Sequence, residues 1–286
     1  MAKIADRYYK QNPWCIVEQG FSPDYTMVSE SIFSLGNEHM GVRGYFDEGY
    51  GGKSLIGSYI SGVYEEQPAM QSSYRGMVDT TYFIANTVDW LYTRITLDGE
   101  RLDLAHSRFS DFTRWLDLRT GVLTRQFVWH TQSDKRLRLC FERFVSMDSP
   151  LFGGQRITVT PLDFDGVLEM ICGLDFSKDH IAAGENLWDV TNSSVNEAGL
   201  CTMLARTHRS HKQVFAACRL SGDFTGCTPC AACEKRAVAS LTVALKRGED
   251  STVTRVYESV VVKQSNVEEE CSRAQSALVH ADYDSL

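Results

Sequence analysis

Hydrophobic residues recur at every second position through most of this chain, a period that builds strands with one buried face. The clearest case is Leu91–Leu97, then Asp98-Gly99, then Glu100–Leu104: an alternating run, a two-residue turn of the I′ type, and a second alternating run. Val122–Trp129 and Arg136–Val145 repeat the pattern around the polar turn Thr131–Asp134. Further runs at Gln155–Thr160, Gly166–Leu174, Leu200–Arg206, Gln213–Leu220, Ala237–Leu245 and Ser251–Val262 are parted by Gly, Asp, Asn and Ser clusters. Many strands at short spacing predict an all-β fold, a large two-sheet antiparallel β-sandwich. Asn192-Ser-Ser194 reads as one of the polar turns between strands.

The rhythm changes only at the end. In Asn266–Leu278 the apolar positions Val267, Cys271, Ala274 and Leu278 fall on one helical face, and Ser265 and Glu268 stand in capping-box positions. The expected division is therefore a sandwich over residues 1–264 and the opening of a helical linker over 265–286. A lone amphipathic helix after a β domain is expected to leave its apolar face uncovered until further chain arrives, so the sequence reads as a fragment.

Composition narrows the partners. The 286 residues suffice for one large core, and 29 basic against 37 acidic residues give a net charge of -8 with no Lys/Arg stripe, which argues against nucleic acid. No apolar run has the length of a signal peptide core or a membrane span, and a cytoplasmic location is expected. Nine cysteines, an odd count, favour reduced thiols over a disulfide framework.

Several patterns imitate chemical sites. Cys227, Cys230 and Cys233 have ligand spacing, but an iron–sulfur run would need a fourth cysteine where Ala237 stands, and Cys218 could complete a zinc tetrad only with awkward geometry. No metal is expected. In Gly49–Ser54 the first glycine of a phosphate-binding loop is replaced by Asp47, so a flexible surface loop is the better reading. His208 and His211 would share a face only on a helix, and the local pattern favours strand or turn, so no metal pair is expected, while Glu65-Glu66 reads as a pair of solvated turn charges. Trp14, Trp90, Trp115, Trp129 and Trp188 are candidates for sugar stacking, with core packing the commoner use.

The segment Asn37-Glu-His-Met-Gly-Val-Arg-Gly44, preceded by Glu30-Ser-Ile-Phe-Ser-Leu-Gly36, is punctuated by Gly36, Gly41 and Gly44, residues suited to positive φ or close backbone approach. It reads as a tight turn in a strand-like run, with Arg43 pairing Glu30 or Glu38. This segment resembles the entry signature of glycoside hydrolase family 65, the α-glucoside phosphorylases and hydrolases. Trp14–Phe21 and Ile60–Tyr64 are similar to flanking family strands. Phe112–Arg125 resembles the Leu-Asp-x-Arg-x-Gly-x-Leu-x-Arg segment, and Glu142–Met147 the strand after it.

The resemblance implies an N-terminal sandwich followed by a helical linker and an (α/α)6 barrel. The catalytic glutamate and the phosphate-binding residues would lie in the barrel, beyond Leu286, so no catalytic residue is assigned here. It further implies inverting attack by phosphate or water on an α-linked glucose disaccharide, with no cofactor and with inorganic phosphate as co-substrate of a phosphorylase. The expected partners are the protein's own barrel, the disaccharide and a second subunit of a homodimer. Asn37, His39 and Arg43 are the substrate-cleft candidates. The rival reading is a free-standing carbohydrate-binding or scaffold module of the same fold.

Overall fold

A computed structural model describes residues 9–68, 80–181, 183–230, 233–263 and 265–286. The alternation predicted from sequence becomes two principal antiparallel sheets. The larger has ten strands in the spatial order Tyr9–Gln11, Cys15–Gln19, Arg108–Asp117, Val122–His130, Arg136–Val145, Phe152–Pro161, Ser251–Val262, Gln213–Gly222, Leu200–Thr207 and Trp188–Val195. The smaller has five: Gly226–Pro229, Arg236–Leu245, Gly166–Asp175, Thr93–Leu97 and Glu100–Arg101. Leu123, Phe127, Leu139 and Ile157 from the first meet Leu168, Met170, Leu241 and Val243 from the second in one buried cluster. Each such side chain contributes about 1.5–3 kcal/mol by leaving water.

Local sequence fixes the corners. Asp98 and Gly99 have φ of 50° and 81°, the pair of positive values a type I′ turn demands, and they join Thr93–Leu97 to Glu100–Arg101. A smaller hairpin pairs Leu35–Gly36 with Met40–Val42, which in turn pairs with Ser58–Ile60. The ribbon Tyr64–Pro68 with Thr80–Ile84 stands apart from both large sheets.

Three sequence expectations are corrected. Thr26–Ile32 is a helix, so Glu30, Ser31 and Ile32 are not strand. Its neighbour, the short hairpin, supplies the turn that was expected. Asn192-Ser-Ser194 lies within the edge strand Trp188–Val195, where a register shift between Val190 and Asn192 absorbs the polar run. Edge strands tolerate such residues because one rim faces water.

The third correction concerns the C-terminal helix, Val267–His280. The helix exists and uses the predicted face, but that face is not uncovered. Ala274 and Leu278 are 1% and 0% exposed, packed on Leu200, Phe215, Val256, Val260 and Val262 of the ten-stranded sheet's outer side, with Val267 and Cys271 at the margin. The capping box does not form either, since the N-cap is Asn266 and its side chain makes no cap bond. Lys263 N–H is bound instead by Glu270 Oε2 at 3.3 Å, and Arg219 donates to the carbonyls of Leu278 and Ala281 at the far end. A cation there completes the last turn and opposes the helix dipole.

Candidate functional site

Asn37, His39 and Arg43 sit on or beside the turn between Leu35–Gly36 and Met40–Val42, and the fold gives them different tasks. Asn37 is consumed by structure. Its Oδ1 accepts from the N–H groups of His39 and Met40 at 2.8 Å each, and its Nδ2 donates to the carbonyls of Ser146 and Pro150 at 2.6 and 3.0 Å. The turn is thereby tied to the loop between Arg136–Val145 and Phe152–Pro161.

His39 is half-buried, with Nε2 2.9 Å from the Ser259 carbonyl; burial holds its pKa below the ordinary value, and the bond to Ser259 works against that shift. A neutral ring donating from Nε2 fits this contact. Together with Glu38, Ser61, Leu151, Val261, Glu270 and Arg273 it borders an open groove of about 540 Å³ between the turn and the C-terminal helix. A second depression of about 320 Å³ lies on the other flank of the turn, where Tyr59, Tyr64 and Ile84 join Glu38 and His39.

Arg43 does not close the expected ion pair. Its guanidinium donates to Ser31 Oγ at 2.5 Å, while Glu30 is occupied by Ser54 Oγ and the Leu55 N–H, both at 2.5 Å. Glu30 is fully buried, and burial raises its pKa against those bonds and the nearby positive charge of Arg43. Of the three signature glycines only Gly44 is sterically required. A Cβ there would fall 2.8 Å from Phe33 Cβ and 3.0 Å from the carbonyl oxygens of Glu30 and Phe33, whereas Gly36 and Gly41 have ordinary space and none of the three has positive φ.

Sequence reasoning missed a row of polar side chains, five of the six charged, inside the sandwich. Glu18, Arg114, Arg125, Arg143, Gln155 and Arg255 project from six adjacent strands of the ten-stranded sheet, and all are at most 4% exposed. Arg114 binds Glu18 Oε2 through Nε at 2.8 Å and the Gly44 carbonyl at 2.8 Å. Arg125 clamps Glu48 at 2.7 and 2.5 Å, lies 4.4 Å over the Phe46 ring and 4.3 Å over Phe141, and reaches Asp47 at 3.3 Å. Arg143 donates to the carbonyls of Tyr45 and Arg43 at 3.0 and 3.1 Å, and Gln155 to Asp47 at 2.6 Å. Arg255 binds the Trp90 and Tyr92 carbonyls at 2.5 and 2.9 Å. Burial works to raise the Asp47 carboxyl, but Arg143 and Arg125 hold it below its ordinary value.

The row therefore nails the segment 43–48, which follows the signature turn, to the sheet. A signal was present in the alternation: Arg114, Arg125, Arg143 and Arg255 occupy the apolar phase, between Phe112 and Leu116, Leu123 and Phe127, Phe141 and Val145, and Val253 and Tyr257. Charge in that phase marks an internal ion-pair network.

The remaining candidates resolve plainly. Glu65 is not a solvated turn charge; it is fully buried in the Tyr64–Pro68 strand and accepts from the Arg209 and Ser210 N–H groups at 3.0 and 2.8 Å. Trp90, Trp129 and Trp188 are core, Trp115 is half-buried, and Trp14 is 56% exposed. Gly49 is buried, and the loop after it is tied down by the Gly51 N–H to Asp103 at 3.0 Å. His208 meets Asp189 at 3.3 Å. Cys218 is buried opposite Cys201 in register, away from solvent, and among the described residues no group of three or more His, Cys, Asp or Glu could hold a metal.

Residues 16–286 match the family described as glycosyl hydrolase family 65, N-terminal domain. The chain belongs to this family. Among its relatives, the α,α-trehalose phosphorylase of Thermoanaerobacter brockii is 29% identical over 63% of this chain and 24% of its own length. The maltose phosphorylase of Bacillus subtilis is 33% identical over 50% of this chain and 19% of its own. The kojibiose phosphorylase of Escherichia coli is 26% identical over 85% and 30%. A solved structure described as a putative kojibiose phosphorylase from human microbiome superposes with a TM-score of 0.87 at 29% identity, covering 97% of this chain and 37% of that one. The family 65 domain thus spans under a third of the length of these three curated relatives, and the arginine row falls largely within the segments whose resemblance suggested the family.

Proposed function

We propose that this family 65 domain is the non-catalytic sandwich of an inverting α-glucoside phosphorylase, acting on α-linked glucose disaccharides with inorganic phosphate as co-substrate and no cofactor. Its task is to hold the Asn37–Gly44 turn rigidly against a catalytic (α/α)6 barrel, with residues 265–286 leading toward that barrel. The observation that carries this is the fate of the buried carboxylates. Glu18, Asp47 and Glu48 are neutralised by arginines, Glu30 and Glu65 are held by backbone N–H groups, Asp89 accepts from Tyr45 and Asp175 from the Ser177 N–H, and Glu258, left without a bonded partner at Oε2, is sealed beneath the C-terminal helix rather than open to a substrate. Glycosidic chemistry needs a carboxylic acid free to give a proton to the leaving oxygen. The phosphorylase relatives supply the reaction class by analogy, with hydrolysis, phosphate replaced by water, as the alternative.

His39 is the cleft candidate with the strongest claim, because it borders the groove while Asn37 is spent on the backbone. A cytoplasmic enzyme, homodimeric through this domain, completes the reading; the odd cysteine count supports the compartment. The 286-residue chain, assayed for glucose release and phosphate consumption on maltose, kojibiose and trehalose, is expected to be inert. Turnover abolished by a substitution within these residues would overturn the assignment. A free-standing carbohydrate-binding module is favoured by one observation, the 44% exposed Tyr64 beside the smaller depression. Calorimetric titration of the chain with the same sugars distinguishes it, since the scaffold reading expects no heat of binding.

A further inference from the structure

The C-terminal helix covers a carboxyl group that the sandwich does not neutralise. Glu258 lies on the Ser251–Val262 strand, opposite Phe152 and Ala217 in register, and shares its outward phase with Val256 and Val260, both part of the apolar patch on which Ala274 and Leu278 sit. It is 2% exposed, and its Oε2 is buried with no hydrogen-bond partner. The charges around it are mostly committed elsewhere. Arg219, from the Gln213–Gly222 strand, donates to the last carbonyls of the helix, and Arg156, from Phe152–Pro161, is paired with Asp284 at 2.5 Å beside Tyr283. On the helix itself Glu270 accepts from the Lys263 N–H, Cys271 is a half-buried thiol, and the Arg273 charge eases the Glu258 carboxylate. His39 reaches the adjacent Ser259 carbonyl from the signature turn.

We propose that Glu258 is a proton-operated latch between the ten-stranded sheet and the C-terminal helix: the neutral carboxyl lets the helix seat, and the carboxylate, lacking a buried partner, drives it off. Burial raises the Glu258 carboxyl from 4.5 to about 7, with Arg273 opposing the rise. The docked state therefore binds the proton more tightly than the undocked one. Its advantage is complete below pH 4.5, declines as pH rises through the interval to about 7, and is constant above.

Hydrogen–deuterium exchange of the intact 286-residue chain, corrected for intrinsic rates, tests this between pH 4.5 and 8. Protection of residues 267–280, relative to the core strand Arg136–Val145, should fall on the order of 100-fold across the window. In Glu258→Gln the helix should remain protected with no pH dependence, and in Arg273→Ala the fall should steepen. A wild-type helix whose relative protection is flat, or a fall that persists in Glu258→Gln, overturns the latch.

Discussion

Removing the Arg125 guanidinium would leave Glu48 buried without its cation and Asp47 dependent on Arg143 and Gln155, which makes Arg125 the costliest member of the row to lose. Arg125→Ala is expected to cost about 3–5 kcal/mol, the range for breaking a buried pair, with Arg125→Lys recovering part of it because one ammonium cannot span both carboxylates and stack between Phe46 and Phe141. Arg43→Ala should cost only about 1 kcal/mol, since a half-exposed contact to Ser31 is lost and no carboxylate loses its bound partner. Urea unfolding of the three variants checks the order; an Arg43 variant as damaged as the Arg125 one would refute the division of labour. At the signature glycines, Gly44→Ala should destabilise through its contacts with Phe33 and Glu30 while Gly36→Ala is mild.

The elements tell a different story from the residues. Strands were legible because alternation is a local property: Arg136–Val145 and Ser251–Val262 match their expected bounds to the residue, and the Asp98-Gly99 turn has the geometry its sequence prescribes. The helix Thr26–Ile32 was not legible, because seven residues with three β-branched members carry little intrinsic helical preference and its formation rests on tertiary contacts such as Ser29 Oγ to Glu18 at 2.6 Å. The same limit hid the site. Sequence located the turn that bears Asn37, His39 and Arg43, but which side chain meets Ser31, Ser146 or Ser259 is decided by partners 12, 109 and 220 positions away. For the C-terminal helix, Leu278→Ala removes a fully buried side chain and is expected to cost about 2–4 kcal/mol, appearing as early proteolysis within residues 265–286 ahead of the sandwich.

Taken as one molecule, the domain balances two opposed proton linkages. Asp47 is held below its ordinary 3.8 by Arg143 and Arg125 despite burial, so the stability it lends is present above 3.8 and is lost as pH falls through its depressed value. Glu30, raised by burial, acts in reverse, weakening the fold as pH rises above 4.5. Chemical denaturation across pH 3 to 8 should therefore give a midpoint that is highest in the weakly acidic range and falls toward strong acid; a midpoint still rising as pH drops below about 3.8 would contradict the pairing of Asp47.

The arginine row also constrains how the ten strands can find one another. Side chains alternate faces, so a strand that pairs one residue out of step would point its guanidinium to water and carry a neighbour inward in its place. With Arg125 misplaced, Glu48 would meet no cation, and with Arg143 misplaced the Tyr45 carbonyl would lose its donor. Hydrophobic strands such as Leu200–Thr207 forgive a slip more easily, because one aliphatic side chain substitutes for another. The six-strand polar row thus specifies register: a wrong pairing is disfavoured by the uncompensated charge it leaves under the second sheet.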